Sequence, residues 1–171
     1  MDETTMSLHP PLRRCWMRRG QRKTIPAPGT PAYRHVFGAL NWHTEQVAHL
    51  ITSHKNTDAF IAFLEHLMLN CYPTDKLVLV LDNAAYHKSR AALAALDTFA
   101  HRLHVLWLPT YSPYLNLIER FWLHLKNLAS ANRLHSCLAD LTAAIDHTIA
   151  AQNDPPNSDR LSFAQHFRLT A

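Results

Sequence analysis

From Lys76 to Asn83 the chain reads Lys-Leu-Val-Leu-Val-Leu-Asp-Asn, and no other stretch restricts the fold as tightly. Five apolar residues in a row, Leu77 to Leu81, have the length and bulk of a strand buried on both faces, as in a sheet packed between helices. The run halts at two polar residues. In open α/β sheets ligands collect at the carboxyl ends of parallel strands, where loops vary while the sheet holds them still. Asp82 is therefore a candidate functional carboxylate. Asp-Asn is equally competent simply to turn a chain from strand into helix, so the residues alone leave both readings open.

A chain of 171 residues, 47% apolar and 18% charged, can bury one sizeable core. No apolar run approaches the roughly 20 residues needed to cross a bilayer. The start, Met1-Asp-Glu-Thr-Thr-Met6, is acidic where a signal peptide would be basic and then apolar. The expectation is a cytoplasmic protein with no membrane partner. Cys15, Cys71 and Cys137 are far apart and form no Cys-x-x-Cys pair, which excludes a disulfide framework or zinc ribbon and suggests small buried hydrophobes. The histidines, His101 and His104 among them, lack the companions of a metal cluster.

The basic residues are unevenly spread. Arg13, Arg14, Arg18, Arg19, Arg22 and Lys23 fall within eleven positions free of acid, and without them the net charge of +4 would turn negative. Such a patch, with Trp16 inside it, suits a phosphate backbone, whose condensed counterions Arg and Lys displace. A solvated hairpin is the competing reading.

Met1 to Pro11 holds no apolar stretch long enough for a strand. Leu12 to Met17 reads as a short strand turning at Gly20, followed by a Pro-rich loop, Pro26 to Pro31. Tyr33 to Trp42 and Gln46 to Ile51 read as two strands joined at His43 to Glu45, with Gly38 weakening the first or marking a bulge. From Asn56 the period becomes helical through Phe60, Phe63, Leu64, Leu67 and Met68, with Asn56 or Thr57 as the cap. Ser89 can cap a helix with Leu93, Leu96 and Phe99 on one face, and Leu103 to Leu108 is another strand. Asn116 can cap a helix with Ile118, Phe121, Trp122, Leu125 and Leu128 inward, and with Glu119 completes a capping box. A last helix from Ser136 carries Leu138, Leu141, Ile145 and Ile149. These residues divide the chain into a domain over 1–151 and a linker with a tail over 152–171.

Two segments carry a specific pattern. Asp82-Asn-Ala-Ala-Tyr-His87, followed by Leu108-Pro-Thr-Tyr-Ser-Pro-Tyr-Leu-Asn-Leu-Ile-Glu-Arg-Phe-Trp122 and Lys126, resembles the signature of mariner-type transposases, particularly their bacterial insertion-sequence branch. The 36 residues between Asp82 and Glu119 are similar to that family's spacing of second and third acids. Leu117 stands where the family usually has proline, which costs some rigidity at a helix start but removes no ligand.

The resemblance implies a ribonuclease-H-like α/β fold, a mixed sheet flanked by helices, here with its first strand missing because only Met1 precedes the first acid. It implies a DDE endonuclease that cleaves DNA and transfers strands in transposition, with Asp2, Asp82 and Glu119 as catalytic and metal-binding acids. It implies two Mg²⁺ or Mn²⁺ ions, whose preference for hard oxygen ligands carboxylates satisfy. Asn83, His87 and Asn116 would stand behind these acids, although a turn role for Asn83 and His87 is as natural. Arg13, Arg14, Arg18, Arg19, Arg22, Lys23 and Lys126 would contact DNA. The partners implied are the element ends and target DNA, a second copy of the chain, and a helix-turn-helix segment or polypeptide. The alternative is an inactive truncated fragment that at most binds DNA non-specifically. A small-molecule enzyme finds no support, since the chain has three glycines and no Gly-rich phosphate loop.

Overall fold

The computed structural model describes residues 1–22, 24–26, 29–109 and 115–154. Three antiparallel strands lead the chain: β1 (Asp2–Ser7), β2 (Tyr33–Leu40) and β3 (Val47–Thr52), in the order β1-β2-β3. The first is not the strand expected. Leu12–Met17 forms none, whereas Asp2–Ser7, polar and rich in threonine, pairs with β2 along its whole length from Asp2 opposite Gly38 to Ser7 opposite Tyr33. Burial explains the choice, because Met6 on β1 is fully buried while Leu12 and Trp16 stand in solvent. Gly38 marks no bulge, since the register with both neighbours runs through it unbroken.

The buried apolar run forms β4 (Leu77–Leu81), parallel to β5 (Leu103–Trp107). It is not covered on both faces: Leu79 and Leu81 are buried, while Val78 is 68% exposed. Between this pair and the three-stranded sheet stands Met1, whose backbone nitrogen donates to the Val80 carbonyl at 2.9 Å. Asp2 thus begins where the two sheets meet.

Helix α1 (Thr57–Glu65) starts at Asn56, whose side chain accepts from the Ala59 N–H at 3.0 Å, and widens into a π-helical stretch over His66–Cys71. Helix α2 (Arg90–Thr98) starts at Ser89, which accepts from the Ala92 N–H at 3.2 Å. Ser89 is the cap expected, and of Asn56 and Thr57 the structure selects Asn56. Along β2 successive side chains face opposite ways. Phe37 packs with α1, α2, β4 and β5, and Val36 packs with Met6, Val47 and the helices α3 (Ile118–Ala129) and α4 (Leu138–Asn153). Each fully buried aromatic or branched aliphatic side chain in these layers contributes about 1.5–3 kcal/mol.

Five inward assignments fail. Leu93 and Leu128 are exposed, their places taken by Ala92 and Ala129, and all three cysteines are exposed rather than buried. The last helix also outruns its expected end at 151, because Gln152 is buried and Asn153 clasps Val47, accepting from its N–H at 2.8 Å and donating to its carbonyl at 3.0 Å. Residues 155–171, most of the expected tail, lie outside the described residues. No helix among the described residues is long and apolar enough to cross a membrane.

Candidate active site

Asp2, Asp82 and Glu119 come from three elements: the start of β1, the exit of β4 and the first turn of α3. Asp2 is buried, 7% exposed, and its Oδ2 accepts from the indole Nε1 of Trp122 at 2.9 Å. Burial, then the charges of Glu3 and Glu119, push its acid up to about 7. Glu119 itself is exposed. The capping box drawn for it does not form: Leu117 is the cap residue, and Asn116, buried, instead donates its Nδ2 to the Met1 carbonyl at 3.3 Å. Asn116 therefore ties α3 to the residue preceding Asp2.

Asp82 behaves oppositely. Its Oδ1 lies 2.9 Å from His87 Nδ1 and accepts from the Ala84 N–H at 3.1 Å. The His87 hydrogen bond, against partial burial, holds the Asp82 carboxyl below the usual carboxylate range. Asp2 and Asp82 are thus pushed apart in proton affinity by their surroundings. The 3₁₀ turn Ala85–Lys88 presents His87, whose ring is wholly buried between Phe60 and Tyr86, with centroids 4.6 and 4.5 Å away. Asn83 uses its amide differently, donating to the Leu108 carbonyl and so joining the exits of β4 and β5.

Two neighbours escaped the sequence reading. Glu3 is buried beside His87, with Oε2 3.7 Å from Nε2, and its Oε1 meets Lys55 Nζ at 2.7 Å. The only signal for Glu3 was its adjacency to Asp2, and strand alternation sends the two to opposite faces of β1. Nothing in the sequence pointed to Lys55. Among the described residues no three His, Cys, Asp or Glu side chains gather closely enough to hold a metal ion. The Tyr-Ser-Pro segment, Tyr111 to Pro113, lies outside the described residues.

The basic segment leaves from the other end of β1, about 17 Å from Asp2 at the rise of an extended strand. Arg13, Arg14, Arg18, Arg19 and Arg22 are exposed, with Trp16 fully so, and Lys23 lies outside the described residues. Asn132, in the connection after α3, grips the base of the segment: its Oδ1 accepts from the Arg13 N–H at 3.0 Å and its Nδ2 donates to the Arg13 carbonyl at 2.9 Å. Lys126, half-buried, lies two turns beyond Glu119 on the same side of α3.

Residues 1–142 match the DDE superfamily endonuclease family. The chain belongs to that family. The motif resemblance is borne out, and so is the α/β fold it implied, except that the first strand expected to be missing is present as β1, which begins at Asp2 itself. An Insertion element IS630 uncharacterized 39 kDa protein of Shigella sonnei is 30% identical over 146 residues, covering 85% of this chain and 42% of that one. Among solved structures, the Mos1 transposase paired-end complex with left transposon end is similar at TM-score 0.66 and 19% identity, over 88% of this chain and 46% of that one. The mariner Mos1 paired end complex with Mg is similar at TM-score 0.63 and 19% identity, over 87% and 46%. The corresponding complex with Mn is similar at TM-score 0.61, 19% identity, over 88% and 47%. This DDE chain spans less than half the length of each.

Proposed function

We propose that this DDE-family chain is the catalytic portion of an insertion-sequence transposase, cleaving DNA strands and transferring them with divalent cations. The observation that carries the reading is the placement of Asp2: a buried carboxylate, its proton affinity raised by burial and by Glu3 and Glu119, that begins β1 where Met1 bonds to β4, the strand from which Asp82 emerges. Such a group holds either a proton or a cation. Oxygen donors from Asp2, Asp82 and Glu119 suit hard Mg²⁺ or Mn²⁺, and the similar Mos1 complexes with Mg and with Mn point the same way.

When bound, one or two such ions would neutralise charge on the phosphoryl oxygens and activate the attacking oxygen. The chain's own residues set the stage for this. Trp122 and Asn116 hold Asp2 and the residue before it, His87 and the Ala84 N–H fix one oxygen of Asp82, and Glu119 approaches from α3. Repulsion between like charges keeps such carboxylates apart until a cation compensates them. The exposed arginines from Arg13 to Arg22, with Lys126, would bear on the DNA backbone.

Joining two element ends calls for two copies of the chain, and reading terminal sequences calls for a helix-turn-helix segment in a longer chain or a separate polypeptide. Cleavage of duplex DNA carrying the element's terminal repeats, with Mg²⁺ and with EDTA, tests the proposal. Asp82→Ala, Asp2→Ala and Glu119→Gln should each lower cleavage at least a hundredfold while DNA binding persists. Cleavage by Asp82→Ala at the wild-type rate would overturn it. The second reading, a fragment that only binds DNA, draws on the absence of a gathered metal-binding cluster among the described residues. It predicts binding through the basic segment and no cation-dependent cleavage at all.

A further inference from the structure

Beside Asp82 lies buried charge that the proposed chemistry leaves unused. Glu3 is 8% exposed and its side chain is nearly sealed, yet a carboxylate is rarely buried unless it is paired. It is paired to Lys55 through Oε1 at 2.7 Å, while its Oε2, without a hydrogen-bond partner, faces His87 Nε2 at 3.7 Å. Through His87 the chain of contacts continues to Asp82, with Nδ1 2.9 Å from Oδ1. Tyr86 covers the group, its ring against the His87 ring and 5.9 Å from Lys55 Nζ.

We propose that Glu3 and His87 are positioning residues, a strut from β1 through the imidazole to the exit of β4 that fixes the Asp82 carboxylate for a divalent cation. The inference rests on the cation role proposed for Asp82 and goes beyond it by assigning Glu3 and Lys55, which touch no reacting atom.

The geometry gives each member a distinct job. An ionised carboxylate only accepts, so the proton between His87 and Asp82 belongs to Nδ1. The close contact with His87 and the hydrogen bond from the Ala84 N–H both fall on Oδ1, and neither uses Oδ2, on a side chain that is 42% exposed. One oxygen is anchored and the side chain still reaches solvent. The imidazole cannot swing away, because Phe60 and Tyr86 flank it and Glu3 stands at its far nitrogen. Glu3 in turn belongs to β1, whose pairing with β2 is continuous, so the strut refers Asp82 to the same strand that carries Asp2. Lys55 neutralises Glu3 and holds it in place. An outer partner of this kind typically changes metal affinity or activity 10–100-fold when removed.

The test uses the 171-residue chain and Mn²⁺ alone, read by calorimetric titration and by the Mn²⁺-dependent rise in melting temperature. Glu3→Gln and His87→Leu should raise the Mn²⁺ concentration for half-maximal response by 10–100-fold. His87→Asn, whose amide nitrogen can occupy the Nδ1 position, should restore most of that affinity. Asp82→Ala should abolish the response. If Glu3→Gln and His87→Leu melt earlier but keep the wild-type Mn²⁺ midpoint, both residues are merely structural and the inference is overturned. Should either variant fail to fold, Lys55→Met, at the exposed end of the strut, supplies the same comparison. A wild-type chain with no Mn²⁺ response would remove the cation role of Asp82 itself, and the strut would fall with it.

Discussion

The indole of Trp122 lies across Gly38, directly on the strand position that pairs with Asp2. A Cβ added to Gly38 would stand 2.5 Å from Trp122 Cη2, 3.1 Å from Cζ2 and 3.2 Å from Ile118 Cδ1. The same indole donates its Nε1 proton to Asp2. The glycine is there for close approach of a ring, the use a strand interior makes of a residue that otherwise weakens it.

Gly38→Ala should therefore destabilise the protein by about 1–3 kcal/mol, as overpacking a tight site does. It should also shift the Trp122 emission, because the ring must move from Asp2. Urea unfolding followed by tryptophan fluorescence checks this, and an unchanged midpoint with unchanged emission would refute it.

Asp2 makes stability depend on pH. Its acid, raised to about 7 in the folded chain, binds a proton that the unfolded chain has already lost above about pH 4. Stability from this group is complete below the unfolded value and is lost as pH rises through the folded one, by up to about 1.4 kcal/mol per unit in that window. In EDTA the wild-type chain should weaken between pH 4 and 7, and Asp2→Asn, which keeps an acceptor for Trp122, should flatten that slope. At pH 8 the variant should be the more stable of the two. Denaturant midpoints across the range decide the matter.

Asp82 supplies the opposite dependence. With its acid held down by His87, its contribution to stability is present above the unfolded value and lost as pH falls through the lower folded one. His87→Leu should therefore lower stability above about pH 4 and flatten its decline below that pH, which denaturant midpoints across an acid titration would detect.

Neutralising Arg13, Arg14, Arg18 and Arg19 together should weaken DNA binding and flatten its salt dependence. Every arginine withdrawn from a phosphate lowers the slope of log affinity against log salt by roughly one. The folded domain should be indifferent, since these side chains are exposed. An unchanged slope would return the segment to a solvated loop.

The exposed cysteines should all react with a thiol reagent in the native protein. Cys71 should react more slowly than its exposure alone would give, because partial desolvation raises its thiol and depletes the reactive thiolate. Stopped-flow thiol titration of single-cysteine variants measures the rates.

The sequence by itself determined what depends on near neighbours. The caps at Asn56 and Ser89 bond three residues ahead, the helical faces repeat every three to four residues, and the polar stop after Leu81 follows from composition alone. The spacing of Asp82 and Glu119, with the motifs around them, also sufficed to indicate the family. Only the tertiary structure decided that Asp2–Ser7 is a strand, because its partner β2 lies some 30 residues away and polar threonines announce no period. Likewise Trp122 meets Asp2 across 120 positions, Asn116 meets Met1 across 115, and His87 stands between Asp82 and Glu3. Each is a contact between groups whose choice of partner was settled by burial and strand pairing elsewhere, and burial is a property of the packed layers, which no local pattern encodes.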